Sequence, residues 1–171
     1  MNSIDKFNKL SKPEFIYIFG NVFEKTEWIA ERCYDSKPYN NVDELFLKMM
    51  EVFEKTKKEK HLEILNAHPN LAIEKKLTED SKNEQKNASL NQCNEEEFIE
   101  FNKLNEEYKK KFGFPFIIAV KGKNKEEILN SFRQRITNNI NSEFEEAKKQ
   151  VKKIASFRLT EILNKYYEKI Y

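Results

Sequence analysis

The sequence predicts an all-α fold, a single-domain helical bundle of about eight helices over residues 1–171 with one short extended core segment. Three observations predict it. Apolar residues recur along most of the chain at helical spacing. Successive stretches open on Ser or Asn followed three residues later by Glu, the pattern of a helix N-terminus. Only three glycines occur, Gly20, Gly113 and Gly122, too few for a fold built from many tight hairpins. Fourteen phenylalanines supply a core beneath a surface in which charged residues make up 35% of the chain.

Ser11-Lys-Pro-Glu14 reads as a capping box with proline in the first turn, and Phe15, Ile18, Phe19 and Val22 follow on one face. Thr26 to Arg32 predicts a short second helix, stopped before Pro38. Asn41 to Glu44 caps a third, with Leu45, Met49, Val52 and Phe53 inward. The charged run 55–60 leads into a helix carrying Leu62, Ile64 and Leu65, which ends near His68-Pro69. Residues 70–80 are polar and weakly periodic, and Ser81 to Glu84 predicts a capping box opening a short helix toward Leu90. Asn94 to Glu97 repeats the device, with Phe98, Phe101, Leu104 and Tyr108 as the stripe behind it and Gly113 as the left-handed C-terminal stop. One strand cannot make a sheet, so the apolar segment 114–120 reads as a buried extended connector. Asn124 to Glu127 caps a helix with Leu129, Phe132, Ile136 and Ile140 inward, and a last long helix runs from about Ser142 to the C-terminus.

Charge and composition exclude several functions. Lys plus Arg number 31 against 29 Asp plus Glu, a net charge of +2, and the lysines are interleaved with acids throughout. With no arginine-rich patch, nucleic-acid binding is not expected. The glycines are too few for nucleotide loops of the Rossmann or Walker type. The longest apolar runs, such as 116–120, are far shorter than the roughly 20 residues of a membrane span. No apolar leader is visible at the N-terminus, so a cytoplasmic protein without membrane partners is expected. Cys33 and Cys93 stand alone, without metal-ligand spacing, which predicts neither disulfide nor zinc site.

Three side chains could carry chemistry. His68 directly precedes Pro69, which disfavours helical geometry at residue 68 and constrains how the imidazole leaves the backbone. A helix-terminal histidine donating to a carbonyl is the plainer alternative, and His61, inside a charged helix, reads as a surface residue. Glu84 is explained as the acidic member of a capping box, but the same geometry clusters Ser81, Glu84 and Gln85 where an anionic or ureido-bearing ligand could bind. Arg158 shares a helix face with Val151, Ile154, Ala155 and Ile162, which points a guanidinium inward and demands a carboxylate, internal or belonging to a ligand. Lys121, Lys123 and Lys125 read as solvated loop charges.

Five motifs, in order and register, give the chain a resemblance to the cofactor-free decarboxylases that act on 2-oxo-4-hydroxy-4-carboxy-5-ureidoimidazoline (OHCU) in uric acid degradation. They are FEKTEWIAER at 23–32, HPNLA at 68–72, SKNEQ at 81–85, KFGFPFIIAVKGK at 111–123 and QVKKIASFRL at 150–159. The resemblance implies an all-helical homodimeric enzyme that needs no cofactor or metal and converts OHCU to (S)-allantoin. His68 is then the central acid/base residue, Glu84 works beside it, and Arg158 engages the anionic part of the substrate. Pro69, Ser81, Gln85, Phe116, Ile117 and Ile118 line the pocket. The chain departs from the family in a shorter segment between HPNLA and Ser81, in Asn70 where an acid is common and in Ser89 where glycine is common. Two other functions fit the same scaffold: a non-catalytic helical binding module, and a decarboxylase of a different ureido or imidazole acid.

Overall fold

The computed structural model describes residues 3–72, 78–88 and 90–167. Among these are nine α-helices, a single-turn 3₁₀ helix at Leu90–Gln92 and no strand. In order the helices are α1 (Ser3–Lys9), α2 (Lys12–Phe19), α3 (Glu27–Asp35), α4 (Val42–Glu54), α5 (Lys58–Ala67), α6 (Glu79–Asn87), α7 (Glu95–Phe112), α8 (Lys125–Arg135) and α9 (Ile140–Tyr167). The all-α expectation holds, with α1 added ahead of the first predicted helix. Residues 73–77 of the segment between HPNLA and Ser81 that is expected to be short, Ser89, and the last turn expected at 168–171 lie outside the described residues.

Several helices start where a short polar side chain accepts a backbone N–H group. Asn41, Asn94 and Asn124 each accept from the amide three residues on, at 2.8, 2.8 and 2.9 Å. Glu97 and Glu127 return the bond to their caps, completing two of the predicted capping boxes. At α2 the Glu14 carboxylate takes both the Ser11 amide and its hydroxyl. Gly113 ends α7 at φ 80°, a conformation that costs a side-chain-bearing residue but not glycine.

The chain forms two compact units, residues 1–64 with 152–171, and residues 65–151. In the first, Phe7, Phe15, Phe19, Phe23 and Phe53 are almost wholly enclosed. Phe7 meets Phe19 edge-on at 5.1 Å, and Phe23 stacks on Phe53 at 5.0 Å. Cys33 lies in this core at 0% exposure, and burial pushes its thiol up to about 12. His61, expected at the surface, is only 4% exposed: its Nε2 lies 2.7 Å from the Phe53 carbonyl oxygen and its ring meets Phe53 edge-on. A charged sequence context concealed an inward helical phase.

The second unit is built around Phe101, Tyr108, Phe112, Phe114, Phe116 and Phe132. Each such ring contributes roughly 1.5–3 kcal/mol by leaving water. Segment 114–120 is a buried non-helical connector, in keeping with the expected core connector, with every residue from Phe116 to Val120 buried. Two predicted stripes are corrected. Phe98, one turn ahead of where the buried face of α7 begins at Phe101, is 41% exposed. Ile140 is 54% exposed, because α8 ends at Arg135 and the turn before α9 resets the helical phase. Lys125 is no solvated loop charge: it opens α8 and pairs with Glu97 at 2.7 Å.

Candidate active site

In the unit of residues 65–151, α5 ends at Ala67 and His68 follows, its amide donating to the Leu65 carbonyl at 3.3 Å. Pro69 stops the helix there, since its ring disfavours α geometry at the residue before it. His68 is 7% exposed. The five residues 68–72 therefore carry backbone groups that no helix satisfies, and buried backbone groups need partners. Two amide side chains supply them. Gln85 donates through Nε2 to the Asn70 carbonyl and accepts the Ala72 amide at Oε1, both at 3.2 Å. Asn105 on α7 donates through Nδ2 to the Leu71 carbonyl at 3.0 Å. Ala72 adopts φ 56°, an unfavourable conformation for a non-glycine residue.

Helix α6 begins earlier than the sequence pattern indicated. Thr78 is its N-cap and accepts the Ser81 amide at Oγ1, 3.3 Å away, so Ser81 is inside the helix and Glu84 is no capping-box partner. Two hydroxyl residues three apart compete for the cap, and the one that starts the helix a turn sooner takes it. The consequence is an unusual inward face. Ser81, Gln85 and Ala88 are buried at 4, 8 and 3% exposure, with Glu84 half-buried on the same side. No large apolar residue of α6 points inward, so this face is not built for core packing.

Phe116, Ile117 and Ile118 are buried at 1, 3 and 6% exposure. The Phe116 ring stacks on Phe132 with centroids 3.9 Å apart, under the Arg135 guanidinium at 4.4 Å. Arg135 donates to the Ile117 carbonyl at 2.7 Å, and the Ala119 amide donates to Gln150 at 2.9 Å. Arg135 is itself held by Glu143, a wholly buried carboxylate that also accepts from Tyr108 and Asn138. Burial and the bond to Glu143 raise the Tyr108 phenol.

His68, Pro69, Ser81, Glu84, Gln85 and Phe116 to Ile118 thus share one unit, and Gln85 joins α6 to the segment that follows His68. Arg158 belongs to the other unit, of residues 1–64 with 152–171. Its side chain is 3% exposed and donates through Nη2 to Glu24, itself 1% exposed, at 2.8 Å. Nη1 donates to the Asn21 carbonyl at 2.8 Å. The inward phase is as predicted, and the carboxylate it demanded is an internal one. Glu24 and Lys25 hold φ values of 63° and 52°, a strained pair of residues that sets the Glu24 carboxylate against the guanidinium. Sequence reasoning missed Glu24, whose only signal was its place in the FEKTEW motif. It also missed Asn105, although this residue interrupts the apolar stripe of α7 in plain view.

Helices and no strand among the described residues, a buried histidine just past the end of α5 and a polar inward face on α6 place the chain in the class of small all-helical proteins with a polar interior face. The sequence model of the OHCU decarboxylase family matches residues 8–160, and the chain belongs to that family. It is 41% identical over 162 residues to the uric acid degradation bifunctional protein of Bacillus sp. (strain TB-90), covering 95% of this chain and 32% of the relative. It is 36% identical to the 2-oxo-4-hydroxy-4-carboxy-5-ureidoimidazoline decarboxylase of Haloferax volcanii, covering 93% of this chain and 95% of that protein. It therefore spans about a third of the bifunctional protein and nearly the whole of the archaeal one. Among solved structures, an OHCU decarboxylase crystallised in the presence of (S)-allantoin superposes with a TM-score of 0.72 at 25% identity, over 85% of this chain and 96% of that one. No helix among the described residues is long and apolar enough to cross a membrane.

Proposed function

We propose that this chain is a carboxy-lyase that converts OHCU to (S)-allantoin, with residues 1–171 acting as one decarboxylase domain. Family membership supports the reaction, and one observation of the fold carries it: α6 turns Ser81, Glu84 and Gln85 inward, and Gln85 ties that polar face to the segment beginning at His68. A binding module on the same scaffold has no need of a buried histidine there.

The substrate's own ring supplies the chemistry that other decarboxylases draw from a cofactor. As the C4–carboxylate bond breaks, its electron pair forms the C4–C5 double bond, and the adjacent ring C=N takes the displaced pair and a proton. The resulting enol loses its hydroxyl proton and gains one at C5, so that overall a proton replaces carbon dioxide. His68 serves these proton transfers at the 4-hydroxyl and C5, a role for which imidazole is suited near neutral pH. Glu84 works beside it. Arg158 receives the anionic part of the substrate, its planar donor set matching a carboxylate. Pro69, Ser81, Gln85, Phe116, Ile117 and Ile118 contribute the walls. The protein is further proposed to act as a cytoplasmic homodimer, which light scattering during gel filtration checks.

The reaction is tested by adding the protein to enzymatically generated OHCU and following optically active allantoin by circular dichroism, beside a protein-free control. Accumulation of the S enantiomer above the control is expected, and equal traces would end the proposal. His68→Gln is expected to lower kcat by at least about 10²-fold with an unchanged melting temperature.

A further inference from the structure

From the geometry we infer that Asn105 is a positioning residue for His68, acting through the backbone of residues 70–72; its kinetic consequence rests on the decarboxylase function proposed above. Asn105 is 4% exposed on a face of α7 otherwise composed of Phe101, Leu104, Tyr108 and Phe112. An apolar residue at this place would extend the stripe without difficulty. The amide instead carries an enclosed Oδ1 that has no hydrogen-bond partner among the described residues. A buried acceptor left without a partner is unfavourable, so stability alone does not select asparagine here. Its other end explains the choice. Nδ2 donates to the carbonyl of Leu71, three residues after His68, in a stretch where no helix supplies donors. The orientation of the amide is fixed by that bond, since a carbonyl only accepts.

Asn105 and Gln85 divide the work. Gln85 takes the Asn70 carbonyl and the Ala72 amide from the α6 side, and Asn105 takes the intervening Leu71 carbonyl from α7. Three consecutive residues are thereby held by two side chains, and Ala72 is kept at φ 56°. Chain direction after Pro69 is decided by these bonds, and with it the setting of the imidazole at the other end of a five-residue segment. A small displacement of an acid/base group costs rate far more than binding, on the order of 10²-fold for 1 Å.

The test uses the full chain carrying Asn105→Leu, which removes the donor and suits the apolar stripe, with Asn105→Ala measured in the same way should leucine overfill the site. The protein has two histidines, His61 and His68, and His61 serves as an internal reference because its ring is held at the Phe53 carbonyl in the other unit. Proton NMR of the imidazoles is expected to show the His68 resonance and its titration displaced and those of His61 unmoved. Turnover should show kcat reduced about 10-fold or more with KM within about twofold. An unmoved His68 titration in a folded variant overturns the inference, whatever happens to the melting temperature. If the unaltered protein does not turn over OHCU, the proposed reaction fails, and the NMR comparison still decides the role of Asn105.

Discussion

Arg158 and Glu24 form a buried ion pair through which a structural role and a substrate-binding role of one residue can be told apart. With both side chains at 3% exposure or less, neither charge has water to fall back on. Arg158→Met leaves the Glu24 carboxylate buried and alone, and breaking such a pair typically costs about 3–5 kcal/mol. Replacing both partners, as in Arg158→Met with Glu24→Leu, removes the stranded charge and should recover most of that stability. The two variants separate structure from chemistry. If Arg158 also receives the substrate's carboxylate, KM stays high in the double variant even as the melting temperature returns. Recovery of both would confine the arginine to holding the fold together. Lysine is expected to serve poorly at 158, because its point charge cannot meet Glu24, the Asn21 carbonyl and a carboxylate ligand in one plane.

Helix α6 shows what an element owes to its first residue. Thr78→Ala removes the side chain that accepts the Ser81 amide, a loss of about 1 kcal/mol and so roughly 2–4 °C in melting temperature for a chain of this size. Ser81→Ala leaves the cap in place and should change stability less, which thermal melts of the two variants would check; a larger loss at Ser81 would restore it as the cap. Caps elsewhere were legible in the sequence because they are local. Asn41, Asn94 and Asn124 each meet a partner only three residues away. At α6 the local pattern pointed to Ser81, because Glu84 three residues on completes the capping-box signature, whereas Thr78, followed three residues on by Ser81 rather than by an acid, takes the cap. His68 and Arg158 were legible too, the one from its proline neighbour and the other from its helical phase. Their surroundings were not. Glu24 lies 134 residues from Arg158, and the carbonyl that Asn105 serves lies 34 residues away, separations over which no periodicity runs.

Across the whole molecule the thiols are distributed one to a unit, Cys33 in the first and Cys93 in the second. Cys33 is the more telling. Its folded-state thiol is pushed up to about 12, while in an unfolded chain it ionises near 9.0. The raised value favours the folded state fully below pH 9 and contributes progressively less as pH climbs toward 12, so the melting temperature should fall over that range. Cys33→Ala should flatten this alkaline slope, and an unchanged slope would assign it to other groups. A wholly enclosed sulfur with almost no thiolate at pH 8 is also a silent one, whereas Cys93 is only half-buried. A thiol reagent should therefore label Cys93 in the native protein and reach Cys33 only in those moments when its core comes apart. The slow second phase of labelling then becomes a clock for opening, and its rate, set against that of an unfolded peptide, weighs the spontaneous breathing of one unit under conditions in which the protein is at work.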